Sequence, residues 1–238
     1  MLVPILWGAG DSKCFNNERF EKALRQITVR TVSIAALCAA SATAVHAARP
    51  FFTDDARVVE RGHCQVESFT KSQRAYAGSE LWVMPACNPF GMELTLGRNR
   101  IEDEYNTVAQ AKLLLKRLED NGVGYALAAG VFGGDPYANA IASYSFHKRA
   151  VLHFNVGAIH NRVPDTDRQT WGLGVEVPLT GRWTAAAETF GQYGDTPTQH
   201  AGLRYALVPN RVQIDTTVGH QSADPVRRFT SIGLRLLF

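Results

Sequence analysis

From Cys64 to Phe238 the chain is a succession of runs of about ten residues in which apolar positions alternate with polar or small ones, separated by clusters of Gly, Pro, Asn and Asp. A period of two predicts strands that turn one face to an apolar phase and the other to a polar one. The last run is the clearest: Thr230, Ile232, Leu234, Leu236 and Phe238 share one face, and Ser231, Gly233 and Arg235 the other. Before it, Val212, Ile214, Thr216 and Val218 oppose Gln213, Asp215, Thr217 and Gly219. Twelve runs can be read, at 63–74, 79–88, 91–99, 107–118, 123–132, 139–147, 150–161, 169–178, 182–192, 199–208, 211–221 and 229–238. An even count is what closed antiparallel bacterial barrels have.

The connections carry a second signal. Asn88-Pro89-Phe90, the stretch 119–122, His147-Lys148-Arg149, Leu179-Thr180-Gly181 and Val208-Pro209-Asn210 are short, and between them fall generally longer polar stretches at 100–106, 162–168, 193–198 and 222–228. Short periplasmic turns alternating with longer outer loops describe an outer-membrane barrel with both chain ends in the periplasm. The predicted fold is therefore all-β: a closed antiparallel transmembrane β-barrel of about 12 strands over residues 63–238. Residues 107–119 conflict locally, because they are rich in helix formers and place Val108, Ala111, Leu115 and Leu118 at helical spacing before an Asn-Gly stop. They are read as a strand because losing one would leave an odd count.

Upstream, Arg25 and Arg30 precede the apolar run 32–37, and Val45-His46-Ala47 follows it. That order predicts a secretory signal cleaved after Ala47, with translation starting downstream of residue 1, near Val29. Leu37 before Cys38 argues against a lipoprotein. Residues 48–62 are then a periplasmic lead-in to the barrel. No run reaches the roughly eighteen apolar residues of a spanning helix.

Composition narrows the function. The chain is 45% apolar and 20% charged, in the ordinary folded range. Cleavage after Ala47 would remove five basic residues (Lys13, Arg19, Lys22, Arg25, Arg30) and three acidic ones (Asp11, Glu18, Glu21) from totals of 25 and 22, leaving 20 against 19. So near-neutral a domain has no electrostatic footprint for nucleic acid. Cys14 and Cys38 leave with the leader, and Cys64 and Cys87 enter an oxidising compartment where they can pair only with each other. A first hairpin turning near Ala75 and Tyr76 sets Lys71 opposite Glu80 and Cys64 opposite Cys87, within disulfide reach. The alternative is two unpaired thiols.

The small-or-polar strand faces carry Glu67, Lys71, Glu80, Glu93, Lys112, Glu176, Glu188, Arg204, Asp215 and Arg235. A cation facing lipid at mid-membrane costs roughly 2 to 4 kcal/mol, so these are predicted to line the lumen. They would make either a polar passage of little ion selectivity or an interior closed by salt bridges. A turn at Pro209-Asn210 puts Arg204 opposite Asp215. Trp82, Tyr125, Trp171, Trp183, Tyr193, Tyr205 and Phe229 lie mostly toward strand ends, as interface girdles do, with edge-of-core packing as the alternative.

Two further motifs bear on partners and chemistry. Ser231-x-Gly233-x-x-Leu236-x-Phe238 resembles the terminal signal read by the barrel-assembly machinery of outer-membrane proteins. His220-Gln221-Ser222 resembles the His-x-Ser pair of outer-membrane phospholipases, but Ala223-Asp224 replaces the Asn-Gly that follows there, and no third orienting group can be placed. The chain is accordingly read as a non-enzyme with no cofactor, nucleotide or metal motif.

Residues 48–57, ARPFFTDDAR, followed by Gly62-His-Cys-Gln-Val-Glu67 and by residues 81–89, LWVMPACNP, resemble a family of outer-membrane β-barrels described as transporters of the MetA pathway of phenol degradation. The resemblance implies passage of small, aromatic or hydrophobic molecules across a lipid-embedded barrel, and supplies no site residues. Residues Thr53 to Ala56 are either a luminal or periplasmic contact or an ordered polar lead-in. The expected function is a passive channel or transporter for small-molecule solutes. The alternatives are a structural or surface barrel without transport and a lipid hydrolase using His220 and Ser222. Twelve strands enclose a lumen only modestly wider than that of side-chain-filled eight-stranded barrels, so inward-folded loops could close it.

Overall fold

The computed structural model describes residues 52–73, 79–222 and 227–238 of the chain; the predicted leader lies outside them. Twelve strands follow one another: β1 (Cys64–Gln73), β2 (Ser79–Cys87), β3 (Met92–Ile101), β4 (Glu104–Lys116), β5 (Gly122–Phe132), β6 (Asp135–Phe146), β7 (Ala150–Asn161), β8 (Thr166–Pro178), β9 (Trp183–Gln192), β10 (Thr198–Val208), β11 (Val212–Gln221) and β12 (Arg227–Leu237). Each pairs with the next and β12 pairs with β1, which closes the barrel as the alternating pattern predicts. The seam runs antiparallel from Gln65 opposite Leu237 to Gln73 opposite Phe229. At its end the Cys64 N–H donates to the Phe238 carbonyl at 2.7 Å and the Phe238 N–H to the Cys64 carbonyl at 2.9 Å. A sheet wrapped onto itself leaves no unpaired edge, the condition a β structure must meet in hydrocarbon. Among the described residues no helix is long and apolar enough to cross a membrane.

The helix-favouring stretch is a strand. β4 pairs along its length with β3 and also with β5, with one register shift between Leu114 and Lys116. Two ladders of hydrogen bonds outweigh propensity differences of a few tenths of a kcal/mol per residue, and tertiary pairing overrides the local preference. The first hairpin has the predicted register, with Lys71 opposite Glu80 and Cys64 opposite Cys87. Cys64 and Cys87 form a disulfide.

The outer connections differ from expectation. Residues 100–106, read as a loop, are mostly ladder, with Arg100 opposite Tyr105 and Asn99 opposite Asn106, so only residues 102–103 separate β3 from β4. β5 and β6 are joined by Gly133 and Gly134 alone, with φ of 60° and 101°. Two successive positive-φ residues make the hairpin turn whose twist matches the flanking strands, and glycine adopts it without a Cβ penalty. Turns this short have no chain to spare for folding into the lumen.

Alternation sorts the side chains. Leu96, Leu113, Leu127, Phe154, Leu173, Leu203, Val218, Ile232 and Leu234 are exposed on the outside. Glu93, Lys112, Glu176, Glu188, Arg204, Asp215 and Arg235 are buried inside. This inside-out arrangement suits a barrel whose outer solvent is apolar.

Candidate functional site: the lumen and the segment that fills it

Every charged residue assigned to the lumen by alternation faces inward, and most are nearly inaccessible. The stretch Phe52–Val59 covers Glu93, Lys112, Glu176 and Glu188 among them. Residues 52–59 of the lead-in, where a luminal contact is one of the two readings of Thr53 to Ala56, lie inside the barrel, with Val59 toward the end where β1 begins. The reason is a set of backbone amides matched to luminal acceptors. Glu188 of β9 accepts the N–H groups of Phe52 at 2.6 Å and Thr53 at 2.7 Å, one on each carboxylate oxygen. Asn155 of β7 bonds Asp54 twice, accepting its N–H and donating to its carbonyl, each at 2.7 Å. The Ala56 N–H donates to the Ser143 hydroxyl at 2.9 Å, and the Val59 N–H to Glu93 at 2.7 Å. Asn88 then donates to the Val59 carbonyl at 2.6 Å. An extended segment inside a polar lumen has no ladder of its own, so wall side chains satisfy its backbone.

Charges reinforce the seating. Lys112 of β4 reaches Asp54 at 2.5 Å and Asp55 at 3.5 Å. Arg57 bonds Asp55 at 2.7 Å and crosses to Glu176 of β8 at 2.8 Å. Burial pushes the Asp55 carboxyl up, but Arg57, Lys112 and His153 outweigh it and hold the group below its ordinary value. Asp55, Ala56 and Val59 are wholly inaccessible, and Ala56 packs with Ala126, Ala128 and Ile141. Small residues on β5 make that room. Gly172 does the same on β8, where a Cβ would come within 2.6 Å of the Thr53 hydroxyl.

The wall has its own network. Arg204 faces Asp215 as the Pro209-Asn210 turn requires, yet its guanidinium bonds Glu176 at 3.1 Å, two strands away. Arg235 bridges the seam, donating to Gln65 of β1 at 2.7 and 3.0 Å and to Gln213 of β11 at 3.4 Å, with Glu67 at 3.5 Å. Lys71 pairs with Glu80 at 2.8 Å, and Trp82 donates to the same carboxylate at 3.0 Å. A polar cavity of about 90 Å³ remains between the segment and the wall, lined by Asp54, Glu67, Glu93 and Lys112 among others.

On the outer side of the segment the lumen is walled by rings. Trp82 stacks on Phe69 at 5.4 Å and on Phe132 at 5.7 Å, and Phe52 stacks on Phe190 at 5.0 Å. Lys71 lies 4.7 Å from the Phe229 ring centroid. Trp82 and Phe229 therefore face inward and are not interface girdle residues. Their positions in the strands share parity with Glu80 and Ser231, which the sequence shows, but distance from strand ends alone does not. Trp183 and Tyr205, 4.7 Å apart at the opposite end of the barrel, do lie on the outside.

The terminal motif lies on β12. Leu236 and Phe238 are exposed, while Gly233 faces inward under Asp215, where a Cβ would lie 2.6 Å from the carboxylate. Ser231 meets Thr217 at 2.5 Å. His220 sits on the outer face of β11 opposite Gln199 and Arg228, and Ser222 is exposed beyond it. No hydrogen bond joins the two, so the geometry of a base and its nucleophile is absent. Among the described residues no group of His, Cys, Asp or Glu is placed to hold a metal ion.

A closed antiparallel barrel of twelve strands, apolar outside and ionic inside, is porin-like in architecture. The chain belongs to the family described as "Uncharacterised conserved protein UCP029691", whose model matches residues 33–238. No curated protein matches it in sequence. Among solved structures it is similar to the NanC porin in a rhombohedral crystal form, with a TM-score of 0.61 at 9% identity, covering 72% of this chain and 98% of that one. The KdgM porin gives a TM-score of 0.60 at 10% identity over the same shares. KdgM in complex with disordered oligogalacturonate gives 0.58, also at 10% identity and the same coverage. At such identities the likeness is one of fold.

Proposed function

We propose that this chain is an outer-membrane barrel through which small molecules pass, and that residues 52–59 plug the passage in the resting form. The observation that carries the reading is the closed barrel with ionic residues inside and an apolar belt outside. The porin fold of its structural neighbours supports it. The rings of Phe69, Trp82, Phe132, Phe190 and Phe229 above the plug support aromatic or hydrophobic solutes. So does the resemblance to barrels described as phenol-pathway transporters. An aromatic wall attracts flat apolar solutes by stacking, worth about 0.5 to 1.5 kcal/mol per ring pair. The terminal motif on β12 is proposed as the signal taken by the assembly machinery.

The occupied lumen favours a second reading, a barrel that stays shut and serves only as structure. Planar-bilayer recording separates the two. The full-length protein should show rare or no openings. A variant lacking residues 52–59, verified as a barrel by its heat-shifted gel mobility, should conduct steadily and pass aromatic solutes into vesicles. A folded, plug-free barrel without conductance or flux would refute the channel reading.

A further inference from the structure

The outer wall of β8–β11 carries a depression that the channel reading does not use. Beyond Trp183 at its start, the outward positions on β9 are Ala185, Ala187, Thr189 and Gly191, all small, whereas the neighbouring strands present Phe154 and Leu173 on one side and Leu203 and Val218 on the other. A groove of about 640 Å³ results, with Gly174, Ala187, Ala201 and Gly219 as its floor and Leu152, Leu173 and Val218 as its walls.

Strand register shows how the groove ends. One row across the wall reads Val175, Ala187, Ala201, Val218 and Thr230, which is mostly apolar. The next row toward the outer connections reads Leu173, Thr189, Gln199, His220 and Arg228. Within one step the surface changes from an apolar floor to three polar side chains and a cation, all facing outward. Arg228 and His220 lie near the ends of their strands, beside the connection between β11 and β12. A trough shaped for a hydrocarbon chain, ending under a guanidinium, complements an amphiphile with an anionic head.

We propose that this groove is a specific site for one anionic acyl lipid of the outer leaflet, its chain on Ala187 and Ala201 and its head on His220 and Arg228. The site rests on the membrane placement proposed above but not on channel activity. The test uses the full chain reconstituted into nanodiscs of phosphatidylcholine containing a minor fraction of phosphatidylglycerol. After transfer to detergent, the retained lipid is counted by native mass spectrometry. One phosphatidylglycerol per barrel should survive, in preference to phosphatidylcholine.

Arg228→Gln should reduce that preference roughly five-fold, the effect of about one cation near an anionic surface. Ala201→Phe, which fills the floor, should abolish retention of both lipids while leaving heat-shifted mobility intact. Equal retention of the two lipids by the parent protein, or retention unchanged in Ala201→Phe, overturns the proposal. So does efficient disulfide cross-linking between Ala201→Cys barrels, which would make the groove a contact between copies. A protein that cannot enter bilayers removes the membrane reading and this site together, whereas one that inserts without lipid preference removes only the site.

Discussion

Gly172 and Thr53 leave no space between them: a Cβ on the glycine would stand 2.6 Å from the threonine hydroxyl and 3.1 to 3.2 Å from its other side-chain carbons. The contact joins the barrel wall to a segment 119 positions upstream, and Thr53 is only 2% exposed there. Gly172→Val should therefore dislodge the upper part of the plug while the strand ladder, formed by backbone, persists. Hydrogen exchange read by mass spectrometry should show faster exchange at the Phe52 and Thr53 amides than in the parent. Exchange across β8 itself should change little.

Glu176 holds two guanidiniums at once, Arg57 on one carboxylate oxygen and Arg204 on the other. Replacing it by Ala leaves buried cations with their partner gone, which costs about 3–5 kcal/mol. The expected result is a lower urea midpoint for Glu176→Ala than for Asp135→Ala, whose carboxylate lies at an exposed turn. Equal midpoints for the two variants would show that water or Asp55 takes over the role of Glu176.

The plug should respond to acid late. Burial alone would raise the Asp55 carboxyl, but Arg57, Lys112 and His153 hold it below its ordinary value of 3.8. Because the folded value is the lower one, the stabilisation from Asp55 is complete above 3.8 and is lost as pH falls through the folded value. Amide protection at residues 53–59 should thus hold from neutral pH down to mild acid and fail below it. In Asp55→Asn this step should vanish, with weaker protection at every pH.

Cys64 is tied both to Phe238 through the backbone and to Cys87 through sulfur. The disulfide closes a loop with a sequence separation of 23, for which chain entropy gives about 3 kcal/mol. Reduction should lower the unfolding midpoint and loosen the β1–β12 seam first. Intact mass without reductant should be that of the bridged form; two free thiols in protein purified from membranes would contradict it.

The strand count, the closure, the Cys64–Cys87 register and the inward set from Glu67 to Arg235 were all legible in the sequence, because a period of two is written residue by residue. Each depends on which face a position takes, and a neighbour on the next strand is fixed once a turn is placed. Local propensity pointed the wrong way at 107–119, where pairing with both β3 and β5 overrides helix formers, and at the outer connections, since polar residues such as Arg100 and Tyr105 continue a ladder above an apolar belt as readily as they form a loop.

What only the tertiary structure decided is everything that happens across the lumen. Arg204 reaches Glu176 two strands away, on the side opposite its facing Asp215, Trp82 and Phe229 turn from a supposed girdle into an inner wall, and Phe52 to Val59 lie inside the barrel. A strand pattern records inside and outside but not distance across an enclosed space. The partners of Asp54, Arg57 and Val59 lie 58, 119 and 34 positions away, on three different strands. They meet only because closure brings those strands around a common axis, where buried backbone amides without a ladder must find acceptors.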